Sequence, residues 1–203
     1  PPRPSSRPHM SSLILRFNDS PALRWVSLLS WDDKAGGLHH KGKVHPITED
    51  AVRLALSEQI DKAAHIPSVI VQHDTDAATM ETIGVIRAWS LHTKASALKL
   101  GVRQRRDHEA YAGVEFVSEK WASIYDAGAM RWTSPRLSGD LVGIPFSDDA
   151  GRSWPLYIGE LSHGGDGHLQ GQVPADELRS LTLAAEANPT TETTMTPEQI
   201  KAA

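Results

Sequence analysis

The sequence contains no cysteine, which excludes disulfide bonds, thiolate metal ligands and a cysteine nucleophile. It also lacks any apolar run near the ~20 residues needed to span a bilayer, and it shows no signal-peptide pattern. The net charge is −4 and no long basic run is present, which argues against a nucleic-acid-binding surface. The short basic cluster at 103–106, followed by Asp107 and Glu109, is interpreted as a solvated loop. These absences predict a soluble intracellular protein with no membrane or nucleic-acid partner.

The length of 203 residues fits one domain with tails. Residues 1–12 are rich in proline, serine and arginine, and are interpreted as a disordered tail or a vector remnant. The domain itself is expected to span residues 13–180. Residues 181–203 contain a threonine-rich linker and the capped start of a helix at Thr196 and Pro197. This last segment is interpreted as the truncated beginning of a further region.

Short apolar and β-branched runs between turn signals predict most of the secondary structure as strands. The predicted strands are 13–17, 25–30, 68–72, 83–89, 97–102, 113–117, 131–137, 141–146 and 153–162. Helices are predicted after Thr48, after Ser118 and from Pro174, because a capping residue or acidic first turn precedes helical spacing. No glycine-rich phosphate loop is present, and no cofactor is expected. The predicted fold class is α+β, with a mostly antiparallel barrel-like sheet flanked by a few helices.

The most informative site candidate is Ser134, in the sequence Arg-Trp-Thr-Ser-Pro-Arg-Leu. His73 ends an apolar strand-like run before it, and His163 closes another after it. A folded sheet could bring these three together. One hydroxyl and two imidazoles are the parts of an activated serine nucleophile: the nucleophile, a base and a group that orients the base.

The catalytic interpretation has ordinary alternatives. On the residues alone, a structural role in a strand is favoured for Ser134 and a surface strand end for His73, and an ordinary turn position is as typical of His163 as a catalytic one. The pair His39 and His40, with His45, suggests a metal site, but adjacent side chains on an extended loop point apart, so an exposed loop is favoured and no metal is expected. The chain has no GxSxG elbow, which argues against an esterase-like hydrolase.

Four segments in order carry a family likeness. They are Trp-Val-Ser-Leu-Leu-Ser at 25–30; Pro-Ser-Val-Ile-Val-Gln-His-Asp at 67–74, followed by the strand at 83–89; Val-Glu-Phe-Val-Ser-Glu-Lys-Trp-Ala at 114–122, followed by the Ser134 segment; and Ile-Gly-Glu-Leu-Ser-His-Gly-Gly at 158–165. Their order resembles the phage Mu-type prohead protease and scaffold proteins. That family is similar in fold and mechanism to the herpesvirus maturation proteases, the assemblins, which use a serine with two histidines.

The resemblance implies that His73 is the general base, Ser134 the nucleophile and His163 the orienting group, although many Mu-type relatives have an amide in place of His163. Attack on a peptide bond also creates an oxyanion. Backbone N–H groups of Gly164 and Gly165 and the charge of Arg136 are the candidates to stabilise it.

The resemblance further implies a serine endopeptidase that cleaves scaffold and internal procapsid proteins, including its own tail, inside the procapsid in the host cytoplasm. Its expected partners are the scaffold protein, the major capsid protein and further copies of itself. The alternative is a capsid-assembly scaffold or chaperone module that has the same fold and does not cleave.

Overall fold

A computed structural model describes residues 23–33, 37–40, 43–71, 80–164 and 172–179 of the chain. Within these ranges the strands are β1 Arg24–Trp31, β2 Leu38–His40, β3 Lys43–His45, β4 Ser68–Ile70, β5 Thr82–Thr93, β6 His108–Phe116, β7 Trp132–Ser138 and β8 Tyr157–Gly164. The α-helices are α1 Glu49–Leu56, α2 Lys94–Lys99 and α3 Glu119–Asp126, and residues 175–179 are helical as well. None of the helices in these ranges is both long and apolar enough to cross a membrane.

Six of the strands form one sheet in the order β1-β6-β5-β4-β8-β7. Neighbouring strands are antiparallel except for β4 and β8, which run parallel. The two ends of the sheet approach each other, because the Thr133 hydroxyl of β7 donates a hydrogen bond to the Ser27 carbonyl of β1. The sheet is therefore a nearly closed barrel, and the prediction of an α+β fold with a mostly antiparallel, barrel-like sheet is confirmed.

The inner face of this sheet carries the main core. Side chains alternate between the two faces of a strand, and the buried inward members form one cluster that includes Val26, Leu28, Ala112, Val114, Ile158 and Leu161. α1 adds Val52 and Leu56 to this cluster. Thr48 caps α1 by accepting from the Ala51 N–H at 3.3 Å, as its sequence predicts.

A second, smaller core lies on the outer face of β1, β5 and β6. Its buried members are Trp25, Ala97, Val102, Tyr111, Val173 and Leu178. They come from the sheet, from α2 with the turn after it, and from residues 172–179, which we call the C-terminal segment. This segment and α2 therefore cover the outer face of that half of the barrel.

Three sequence interpretations are wrong. Residues 97–102 are not a strand, because α2 occupies Lys94–Lys99 and Thr93 forms a reciprocal capping box with Ser96. Residues 141–146 are not a strand either, because Gly139 and Gly143 adopt positive φ around a 3-10 turn at Asp140–Val142. Glu109, interpreted as part of a solvated loop, is fully buried on β6. The predicted strand at 13–17 and the helix at Thr196 lie outside the described residues.

Candidate active site

Ser134 lies near the start of β7, directly opposite Ser162 of β8. Its neighbours Thr133 and Pro135 are buried on the inner face, whereas Ser134 is half-buried. Because alternation places Ser134 on the outer face, its hydroxyl belongs to the surface side of the barrel. The Ser162 hydroxyl donates to the Ser134 carbonyl at 3.3 Å, which fixes the backbone at the candidate nucleophile.

His163 lies on the opposite face of the sheet from Ser134. It pairs with Thr133 across the β7–β8 ladder, and directly opposed residues point to the same face. Its side chain is turned to the core with 3% exposure, and its ring centroid is 6.1 Å from that of Phe116. The register therefore does not bring His163 together with Ser134, although the two were predicted to share a site.

Burial also decides the ionisation of His163. It lowers the pKa of this imidazole to about 4, because a charged ring is poorly solvated in the core. Neither ring nitrogen has a hydrogen-bond partner in the part of the chain that the structure describes. His163 is a neutral core side chain, and a group that orients a catalytic base must instead share a face with that base.

His73, the predicted base, lies outside the described residues, but the strand that precedes it is defined. β4 ends at Ile70, three residues earlier in the sequence, and Ile70 pairs in parallel with Ser162. Ile70, Ser162 and Ser134 therefore form one row across β4, β8 and β7. Two strand spacings separate β4 from β7 by about 10 Å, and three extended residues can also span about 10 Å. The chain is long enough for His73 to reach the Ser134 row.

The candidates for oxyanion stabilisation differ in their position relative to Ser134. Arg136 is two residues along β7 and therefore on the same face, where its Nε is 2.9 Å from Glu160 Oε1. Gly164 pairs with Trp132 at the end of β8, and a Cβ built on it would meet no described atom within 4 Å. Gly165 lies outside the described residues. Among the described residues, nothing therefore packs against the Cα of Gly164, and the charge of Arg136 is partly neutralised by its carboxylate partner.

Two polar residues on the face of Ser134 were not among the predicted site residues. Glu160 and Ser162 point outward from β8, in register with Arg136 and Ser134, and both are largely buried. The signal was the two-residue alternation of β8, in which Glu160 and Ser162 share a face that Leu161 and His163 do not. This alternation separates Ser162 from His163, and only the register between β7 and β8 shows that Ser162 is the one that shares a face with Ser134.

Within the described ranges, no group of three histidine, aspartate or glutamate side chains is arranged to hold a metal ion. His45 pairs with Leu38 in the β2–β3 hairpin.

Comparison with known proteins yielded no relative: no protein-family model matches the chain, and no curated protein or solved structure matches it significantly.

Proposed function

We propose that the protein is a serine endopeptidase of the phage prohead maturation type, with Ser134 as nucleophile and His73 as general base. The observation that carries this proposal is the row formed by Ser134, Ser162 and Ile70. In this row β7, which carries Ser134, lies two strands away from the end of β4, the strand that leads to His73. The assemblin-like character of the barrel is part of the same proposal.

The proposed chemistry begins with attack by the Ser134 hydroxyl on a peptide carbonyl. A serine hydroxyl is a weak nucleophile, so the base takes its proton as the new C–O bond forms and later gives the proton to the leaving amine. The hydrogen bond from Ser162 to the Ser134 carbonyl restrains the backbone at the point of attack. Loss of one oxyanion donor typically lowers the rate by about 10²–10³, so the exposed backbone of Gly164 and the charge of Arg136 are the groups to examine.

The proposal gives His163 no part in proton transfer, because this side chain faces the core. The polar groups of β8 on the face of Ser134 are Ser162 and Glu160. A hydroxyl can accept a hydrogen bond from an imidazole N–H while it donates one of its own. Ser162 is therefore our candidate for orienting the base.

The proposed substrates are the scaffold and internal proteins of a procapsid, and the proposed partners are scaffold protein, major capsid protein and further copies of this chain. The chain's own tail is a proposed substrate too. The sequence Leu-Ala-Ala-Glu-Ala at 183–187 offers small residues that an extended substrate can present. The proposed location is the interior of the procapsid.

A fluorophosphonate probe, read by intact mass, tests whether Ser134 is activated. We expect one label on the wild type, none on Ser134→Ala, and labelling slowed by at least ~10² in His73→Ala, since general-base assistance contributes about 10²–10⁴. Ser138→Ala is the matched control, because Ser138 lies on the same strand and is also half-buried. It should label like the wild type.

Absence of labelling in a wild-type sample with a folded circular dichroism spectrum would overturn the proposal. So would equal labelling of Ser134→Ala and wild type, since the reactive group would then lie elsewhere. Either result would favour the capsid-assembly scaffold or chaperone module that has this fold and does not cleave.

A further inference from the structure

Glu109 is a buried carboxyl that joins the barrel to the C-terminal segment. It lies on β6 and has no exposed surface. Its Oε1 accepts a hydrogen bond from the Ser27 hydroxyl of β1 and one from the Val173 backbone N–H at 2.9 Å. One oxygen of this carboxyl therefore bonds both to the sheet and to the segment that covers it.

The groups that face Glu109 supply no positive charge at neutral pH. His92 of β5 stands directly opposite in the ladder, and burial lowers the pKa of its ring to about 4. Tyr111, on the same face of β6, is held neutral because burial and the nearby Glu109 raise its pKa. The C-terminal segment adds Glu177, a like charge. No cation pairs with Glu109 among the described residues.

These surroundings favour the protonated carboxyl. Burial raises the pKa of Glu109 to about 7, and Glu177 raises it further, whereas the bonds from Ser27 and Val173 act in the opposite direction. An ionised carboxylate here would need water or a cation. Water can reach it if the C-terminal segment moves aside.

The remaining attachments of the C-terminal segment are apolar contacts, hydrogen bonds from the Arg179 guanidinium to the Tyr125 and Asp126 carbonyls, and bonds at the surface. Val173 and Leu178 pack in the outer core. Ala175 N–H donates to the Arg131 carbonyl at 3.0 Å, and Arg131 Nε lies 3.3 Å from Asp176 Oδ1 with both side chains well exposed. Exposed ion pairs contribute little. The state of Glu109 can therefore influence whether the segment stays docked.

We propose that Glu109 is a pH-sensitive latch, which holds residues 172–179 on the outer face of β1, β5 and β6 while protonated and loosens them when it ionises. The inference does not rest on the proposed function. It concerns the segment that precedes the tail, since the chain continues from residues 172–179 into residues 180–203. The ionisation of Glu109 therefore sets how stably the C-terminal segment docks on the barrel.

The sign of the effect follows from linkage. With the segment released, Glu109 meets water and titrates near its ordinary value of 4.5, whereas docked it titrates near 7. Between these values release frees a proton, so each unit of rising pH favours release by up to about tenfold. Above pH 7 both states are ionised and the dependence levels off.

Hydrogen exchange of the full chain, followed by mass spectrometry from pH 5 to 8, tests the latch. Protection factors, corrected for the intrinsic pH dependence of exchange, should fall by up to about 10² for amides of 173–179 and become constant above pH 7. In Glu109→Gln, which keeps a carbonyl acceptor for Val173 and cannot ionise, protection should not change with pH. Glu177→Gln, an exposed change, should move the levelling point to lower pH.

A pH-independent protection factor in the wild type would overturn the latch. The same pH dependence in Glu109→Gln would also overturn it, because the titrating group would then be another residue. If Glu109→Gln does not fold, carbon NMR of the wild-type glutamate carboxyls decides instead. A Glu109 titration near 7 that coincides with the loss of protection supports the latch, and an ordinary titration near 4.5 contradicts it.

Discussion

At the scale of single residues, two histidines are buried deeply enough to resist ionisation. Burial lowers the pKa of both His92 and His163 to about 4, from 6.5 for the free side chain. The unfolded chain therefore binds protons that the folded chain does not bind between pH 6.5 and 4. Each histidine makes the free energy of unfolding fall as the pH is lowered through this range.

Replacement of His163 by leucine should reduce that acid sensitivity without loss of serine reactivity. Between pH 6.5 and 5 the wild type should lose about 1.5 kcal/mol of unfolding free energy through His163, by linkage at 1.36 kcal/mol per pKa unit, and His163→Leu should not. Urea unfolding at the two pH values measures this difference, with His45→Leu as a control outside the core. An unchanged pH dependence, or loss of probe labelling in His163→Leu, would show that the core assignment of His163 is wrong.

The sequence could identify Ser134 as a strand residue and His163 as the end of a later strand. It could not show that the two face opposite sides, because facing depends on the register between β7 and β8, and β8 contains a shift where Arg136 pairs with Glu160 and Leu137 with Ile158. Register is a tertiary property. The burial of Glu109 could not be predicted for a related reason. The charged residues at 103–107 just before it suggest an exposed loop, whereas the C-terminal segment, which is distant in sequence, covers it.

At the scale of elements, the turn after β7 depends on two glycines with different surroundings. Gly139 has φ 112° and ψ 171°, a region that only glycine occupies readily, and a Cβ there would lie 2.6 Å from the Trp154 carbonyl oxygen. Gly143 has φ 67° and ψ 21°, and a Cβ there would meet no described atom within 4 Å. A side chain at Gly139 would therefore cause both steric overlap and backbone strain, whereas a side chain at Gly143 would cause backbone strain alone.

We expect Gly139→Ala to lower the unfolding free energy by about 3 kcal/mol or more, because backbone strain and overlap with the Trp154 carbonyl add. Gly143→Ala should cost only about 1–2 kcal/mol, the usual penalty for a left-handed residue. Urea denaturation of both variants measures the difference. Equal losses would mean that the chain around Gly139 shifts freely and that this glycine does not fix the end of β7.

Capping residues and apolar runs, which can be recognised within a few residues of sequence, predicted several helices and strands correctly. The Thr48 cap and the acids after it predicted α1, and the apolar runs predicted β1, β5 and β7 to within a few residues. The strand predicted at 97–102 was wrong because Thr93 and Ser96 form a capping box that starts a helix at Lys94. The strand predicted at 141–146 was wrong because Gly139 and Gly143 flank a 3-10 turn at Asp140–Val142.

At the scale of the whole molecule, the barrel has a main core inside and a smaller core on one outer side, under α2 and the C-terminal segment. The proposed active site lies elsewhere on the outer surface, across β4, β8 and β7. Short- and mid-range patterns could predict the strands that meet at this site. The parallel pairing of β4 with β8, which sets the Ser134 row beside the end of β4, joins distant parts of the chain and carries no local signal.

We propose that this barrel is a protease that acts through Ser134, and cleavage of its own tail tests this activity most directly. The full chain is incubated at high concentration and its intact mass is followed over time, beside Ser134→Ala and the control Ser138→Ala. We expect the wild type and Ser138→Ala to lose a C-terminal fragment within residues 180–203, while Ser134→Ala stays whole. An intact wild-type chain, or equal trimming of Ser134→Ala, would contradict the account.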